Sequence, residues 1–161
     1  MIIGNLSDFI DYDLFKKVEE QSKIFYKNNP RGRTFNQIFY DTFVGEACEL
    51  AAANFYNGKQ VPFNISYYDI ETSNGEKIEV KHTRIISKYW NFNIDYYRHF
   101  LQNVNKIDKI ILIELFPNGD LNLKFEMEAN SFQNYIRKSQ FNSNYYIAVD
   151  TAIKDGKLKV F

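Results

Sequence analysis

Two acids and a lysine set the chemical question in this chain. Asp69 and Glu79 are separated by nine residues, and Lys81 follows Glu79 by two. Carboxylate oxygens, completed by water, are the ligands Mg²⁺ prefers. A lysine ammonium beside them can hold or activate one such water. That chemistry requires the three side chains to share a face, and a strand switches faces at every residue.

Asn64 to Thr72 and Lys77 to Thr83 read as strands joined at Ser73-Asn74-Gly75. A two-residue Asn74-Gly75 turn sets Asp69 opposite Val80 and mixes acids with aliphatics on both faces. A three-residue loop with Gly75 at the left-handed bulge position sets Thr72 opposite Glu76, Ile70 opposite Ile78 and Tyr68 opposite Val80. That face is wholly apolar. The other face then carries Asp69 opposite Glu79 and Glu71 opposite Lys77, with Lys81 about 7 Å further along the strand. Glu71 and Lys77 attract across the hairpin, whereas Asp69 and Glu79 repel. A like-charged pair of this kind calls for a cation, and Mg²⁺ is the natural one. The plainer alternative is a solvated sheet face on which Lys77 and Lys81 balance the acids.

A third acid comes from the preceding helix, which starts at the N-cap Thr34 and runs to about Tyr56. Asn57-Gly58 ends it, with Gly58 expected in the left-handed conformation. On a helical wheel, Phe35, Phe39, Phe43, Leu50 and Ala53 all fall within a single quadrant. Glu46 falls inside that quadrant, at the centre of the apolar stripe. An unpaired carboxylate there is costly. Its partner is a metal, a lysine or a water-filled cleft, unless Glu46 reaches the helix edge and solvates itself. Glu49 lies on the shoulder of the stripe, so either acid can serve the site.

The remaining elements frame these. Ser7 to about Asn28 suits one or two amphipathic helices, and a further helix is expected at about Asn93 to Asn105. Lys109 to Phe116 reads as a central strand and Leu121 to Glu126 as its neighbour. Asn130 begins a short helix in which Gln133 can complete a capping box. Asn144 to Asp150 and Lys157 to Phe161 read as a last pair of strands. The order predicts a mixed α/β fold, a sheet flanked by helices. One domain is expected over 1–161, with 1–33 a helical segment that could dimerise and 34–161 the core.

Composition narrows the classes. The chain has 20 Lys+Arg against 20 Asp+Glu, 45% hydrophobic residues and 25% charged ones, an ordinary globular balance. Zero net charge argues against a simple polycation that coats DNA. The 15 Phe and 12 Tyr fit an AT-rich coding sequence better than they fit stacking on bases. One cysteine, Cys48, and two histidines leave no disulfide and almost no room for classical zinc ligation. Neither a membrane span nor a signal peptide is read, so a cytoplasmic location is expected. No phosphate-cradling glycine loop and no Gly-x-Ser-x-Gly turn occurs, which argues against a nucleotide cofactor and serine hydrolysis.

Glu46 on a helix, Asp69 on the first hairpin strand and Glu79-Val80-Lys81 on the second together resemble the PD-(D/E)XK nuclease superfamily. Small type II restriction endonucleases are the subclass most similar. The resemblance covers roughly residues 34–83, and Tyr68 stands where the family often has proline. It implies a restriction-endonuclease-like mixed sheet and Mg²⁺-dependent hydrolysis of DNA phosphodiesters, with Mn²⁺ as a possible substitute. Asp69, Glu79 and the Val80 carbonyl would ligate the metal, and Glu46 would join them directly or through water. Lys81 would position or help deprotonate the attacking water. Double-stranded DNA is the implied partner and a homodimer the implied assembly.

Arg31 and Arg33 flank Gly32 just ahead of the Glu46 helix, where a phosphate contact and a solvated turn fit equally. Thr83, Arg84, Lys88 and Tyr89 leave the end of the Lys81 strand and form the best candidate DNA-contact segment. There the alternative is a connector with Trp90 in the core. His82 is expected to face away from Lys81, and Cys48 and His99 are read as structural. Within the same fold, a phage or repair nuclease or a Holliday-junction resolvase remains open. So do a non-catalytic DNA- or protein-binding module and a structural protein with an accidental acid pattern.

Overall fold

A computed structural model describes residues 1–28, 30–62, 67–84 and 89–161. Strand β1 (Ile2–Asn5) leads through a 3₁₀ turn into helix α1 (Tyr12–Asn28), followed by α2 (Phe35–Phe55). Strands β2 (Gly58–Gln60), β3 (Ile70–Thr72), β4 (Lys77–Thr83) and β5 (Trp90–Phe92) come next, then α3 (Ile94–Asn103). The chain continues through β6 (Lys109–Leu115), β7 (Asp120–Glu128), α4 (Phe132–Tyr135), β8 (Ile136–Lys138), β9 (Tyr145–Ile147), α5 (Val149–Lys154) and β10 (Leu158–Val160).

The described strands form a seven-stranded mixed sheet in the order β1-β7-β6-β4-β3-β2, with β10 also pairing β7, and a three-stranded sheet β5-β9-β8. Only β4 and β6 run parallel among the large sheet's pairs; the rest are antiparallel. The chain is therefore mixed α/β, with helices flanking a central mixed sheet. No described helix is long and apolar enough to cross a membrane.

Strand β6 is an apolar run because both its faces are covered. Ile111, Ile113 and Leu115 pack with Val44, Cys48, Ala51 and Ala52 of α2. Ile110 and Leu112 pack with Trp90, Phe92 and Phe100 on the opposite face. In β7, Lys124 is an extra residue between the Leu112–Phe125 and Ile113–Leu123 pairs. This bulge switches β7 from the α2 face at Leu123 to the aromatic face at Phe125. Helix α2 is buried on almost all sides. Small residues face the sheet, while Phe39, Phe43 and Leu50 meet Leu14, Phe15 and Val18 of α1. The stripe read from the sequence is thus the α1 contact, not the sheet contact.

Several local expectations are corrected. Thr34 caps α2 in a capping box with Gln37, but the left-handed residue at its end is Asn57, at φ 51°, not Gly58. Gly58 is needed in β2 for another reason. A Cβ there would stand 2.8 Å from the Glu71 carbonyl and 2.9 Å from Ile70 Cγ2. Strands β1 and β2 are too short for a periodic signal. The two C-terminal strands do not pair with each other: β9 joins β5 and β8, and β10 joins β7. No side-chain cap forms at Ser131, because Ala129–Ser131 is already a 3₁₀ turn, so the capping box with Gln133 is absent. The described strand before the hairpin starts at Ile70; residue 64, the expected start, lies outside the described residues.

Candidate functional site

The hairpin adopts the three-residue loop. Ile70 faces Ile78, Glu71 faces Lys77, the Thr72 amide donates to the Glu76 carbonyl, and Gly75 sits at φ 80°. Regular pairing stops at Ile70. The Asp69 amide also donates to the Ile78 carbonyl at 3.0 Å, so two residues stand against one, as in a β-bulge. Two expected pairs are therefore not formed, Asp69 with Glu79 and Tyr68 with Val80. The bulge turns Tyr68 to the opposite face, where its hydroxyl donates to Glu71 at 2.9 Å and its ring joins the aromatic cluster. It also aims the Asp69 carboxylate at the β4 backbone, where Oδ2 accepts the Val80 N–H at 2.7 Å.

On β4, Glu79 and Lys81 share a face as strand alternation requires, and Lys81 Nζ lies 2.8 Å from Glu79 Oε1. The Tyr96 hydroxyl donates to the same oxygen at 3.5 Å. Its ring lies under the ammonium, 4.1 Å from Nζ to the centroid. Glu79 is 8% exposed, while the Lys81 side chain keeps 31% of its surface open.

Glu46, 5% exposed, has a lysine for a partner, one of the three that its position allowed. Lys17 Nζ and Gln60 Nε2 each donate to Oε2 at 2.5 Å, and Gln21 Nε2 donates to Oε1 at 2.9 Å. Gln60 Nε2 also donates to Glu49 at 2.7 Å, which ties the two helix acids together. Glu49 is the α2 acid whose charge reaches Asp69 and Lys81. Burial, and then Glu46, pushes the Glu49 carboxyl up to about 7. Burial, then Glu79 and Glu49, holds the Asp69 carboxyl well above the usual range. Burial works to lower the Lys81 amine, but Glu79 and Asp69 outweigh it and the net direction is up.

Asp69, Glu79, Lys81 and Glu49 are thus one electrostatic cluster with more acids than lysine can balance. Glu46 forms a second, satisfied layer behind it. Among the described residues no three Asp, Glu, His or Cys side chains are arranged to enclose an ion. Mg²⁺ does not need such a cage, since it is usually held by one or two carboxylates, water and substrate phosphate. The hard oxygen donors and the excess negative charge fit that ion.

Elsewhere, Val80 buries its side chain against α2 and Cys48 is fully buried, its thiol pushed up by burial. His82 does turn from Lys81 toward α2, where a Cβ on Gly45 would stand 3.3 Å from its ring. It is the wall between two clefts. One, of ≈ 290 Å³, contains Arg33, Asp41, Glu46 and Glu49; the other, of ≈ 250 Å³, contains Lys81, Thr83, Asn93 and Tyr96. Arg33 and Arg84 converge on Asp41 at 3.1 and 2.6 Å, and Arg31 reaches Asp95 of α3 at 3.0 Å. Thr83 shares the Lys81 face, Tyr89 is 50% exposed, and Lys88 lies outside the described residues. Trp90 is a core residue, 1% exposed, and its indole N–H has no acceptor among the described residues. His99 is exposed, not packed in a core.

Lys17, Gln21, Gln60 and Tyr96 belong to the site's surroundings and carried no local signal in the sequence. Lys17 and Gln21 lie four apart on α1, so they share a helix face, but nothing local says that this face meets Glu46. No protein-family model matches the chain, and no curated protein matches it either.

Proposed function

We propose that the protein is a Mg²⁺-dependent DNA endonuclease with a restriction-endonuclease-like core. The observation that carries this reading is the convergence of Asp69, Glu79, Lys81 and Glu49 where β3 bulges away from β4, beside an open cleft. Asp69 and Glu79 would hold the ion, with Glu49 next to them. When bound, the ion polarises a phosphoryl oxygen and lowers the pKa of a coordinated water. Lys81 stays protonated between Glu79 and Asp69, so it orients the attacking water and offsets charge on the phosphoryl oxygens instead of taking a proton. Tyr96 and Glu79 fix its ammonium. Glu46, Lys17, Gln21 and Gln60 position Glu49. The succession α2–β2–β3–β4–β5–α3–β6, with β6 parallel to β4, is compatible with that core. Each site would cut one strand, and a homodimer would cut both.

Cleavage of plasmid and genomic DNA with Mg²⁺, Mn²⁺ or EDTA tests this. Metal-dependent cutting that disappears in Lys81→Ala and Asp69→Asn is expected. Discrete fragments identify a restriction-type enzyme, and a smear removes that subclass. No cleavage of duplex, branched or single-stranded DNA with any metal refutes the enzyme.

A further inference from the structure

The cleft beside Lys81 continues into a second one. The first, ≈ 250 Å³, runs from Lys81 along β5, and the second, ≈ 420 Å³, runs on to the β8–β9 loop. Tyr89 and Asn91 line both. Among the described residues neither lining contains an aspartate or glutamate, although the chain has 20 acids. The cleft on the other side of His82 contains three of them, Asp41, Glu46 and Glu49. The three acids outnumber Arg33 in that lining, so an anionic strand is better accommodated on the β5 side, although Lys81 at its inner end is paired with Glu79.

Aromatic faces mark the acid-free path. Tyr96 lies under Lys81 at its inner end. Tyr89, 50% exposed, stands midway, edge-on to Tyr146 at 6.5 Å. Phe141, at the tip of the β8–β9 loop, is 95% exposed among Ser139, Gln140, Asn142 and Ser143. Burying apolar surface stabilises a fold, so a phenylalanine left this open on a polar loop makes no contribution of that kind. Asn91 and Gln140 offer amide donors and acceptors of the sort that base edges use.

We propose that this groove binds an unpaired nucleic-acid strand, with bases stacked on Tyr89 and Phe141 and the backbone led toward Lys81. Stacking on aromatic side chains is tolerant of sequence and requires bases freed from the duplex. The inference rests on the nuclease reading for its direction, and it adds a substrate class: single strands, or duplexes with an unpaired segment at the cut.

Binding is measured without cleavage, in EDTA and in Ca²⁺, using labelled single-stranded DNA, single-stranded RNA and duplex DNA. Trp90, the one tryptophan of the chain, lines the inner cleft and reports occupancy by its fluorescence. Single strands should bind more tightly than duplex and quench Trp90. Phe141→Ala and Tyr89→Ala should each weaken single-strand binding about tenfold. Lys81→Met should keep most of it while losing cleavage. The DNA and RNA arms show which strand is preferred. Equal affinity for duplex and single strand, or unchanged binding in both aromatic variants, overturns the groove and leaves the nuclease reading standing. A Phe141→Ala variant that loses only self-association overturns it too. Tight single-strand binding lost in the aromatic variants, with no cleavage under any metal, refutes the nuclease and upholds the groove.

Discussion

Glu46 and Glu49 lie one turn apart on α2 and play different roles. Glu46 is the better-satisfied acid, with a lysine and two amides on its oxygens. Removing it leaves Lys17 without its counter-ion, though the ammonium keeps its bond to the Gln60 amide oxygen at 3.2 Å and, with 38% of the side chain exposed, partly rehydrates. Glu46→Ala should therefore cost about 2 kcal/mol of stability, read from urea midpoints at constant m-value. Glu49 is the strained one, a carboxylate raised by burial and by its neighbour. Glu49→Gln should abolish or strongly reduce metal-dependent cleavage and yet raise the melting temperature in EDTA at pH 8. A variant that lost both activity and stability would place Glu49 with Glu46 in the supporting layer. The sequence wheel put Glu46 at the centre of the stripe and Glu49 on its shoulder, and for burial that was correct. It could not say which acid faces the hairpin, because α2 is covered on one side by α1 and on another by the sheet.

At the scale of the element, the hairpin was legible and its bulge was not. Alternation fixes the Ile70–Ile78 register, since a slip of one residue would expose both isoleucines. No such rule fixes where pairing stops. The Asp69 carboxylate replaces a lost ladder bond by accepting the Val80 N–H, so Asp69 has a structural duty apart from any chemistry. Asp69→Asn keeps an acceptor oxygen there, whereas Asp69→Ala leaves the amide unsatisfied. The alanine variant should be less stable than the asparagine variant by about 1–2 kcal/mol, with both inactive. Equal stabilities would mean that water takes over the Val80 amide. Edge strand β2 carries the same kind of constraint. Gly58 faces the Glu71 carbonyl at a distance no Cβ tolerates. Gly58→Ala should therefore shift β2, move Gln60 from the two helix acids, and cost about 1–3 kcal/mol. The longer elements α1, α2, α3, β6 and β7 lay close to their expected places because periodicity accumulates over many residues. The three-residue strands carried too few residues for such a pattern.

Across the whole molecule, the acid cluster makes stability depend on pH and, on the proposed reading, on cations. A carboxyl whose folded pKa lies above its unfolded value binds more protons when folded. Stability then falls as pH rises from the unfolded value toward the folded one. For Glu49 that window runs from the ordinary value of 4.5 to about 7, and Asp69 acts in the same direction. The Glu49 contribution is at most about 3 kcal/mol, less where the cleft admits water. In EDTA, wild type should lose stability relative to Glu49→Gln between pH 5 and pH 8, and the two should converge at the acid end. A divalent cation held there as proposed would compete with protons for the same oxygens, so its effect would run the other way. Millimolar Mg²⁺ should raise the melting temperature clearly at pH 8 and little at pH 5.5. Parallel pH profiles for wild type and Glu49→Gln would show that this acid is not strained in the folded protein. A Mg²⁺ shift of the same size at both pH values would show that the ion binds elsewhere. Because the chain has no net charge to favour DNA at long range, on the proposed reading the affinity would come from a cation bound at this cluster and from the groove beside it. Raising salt should weaken strand binding with a slope of only a few phosphates, far below that of a basic protein.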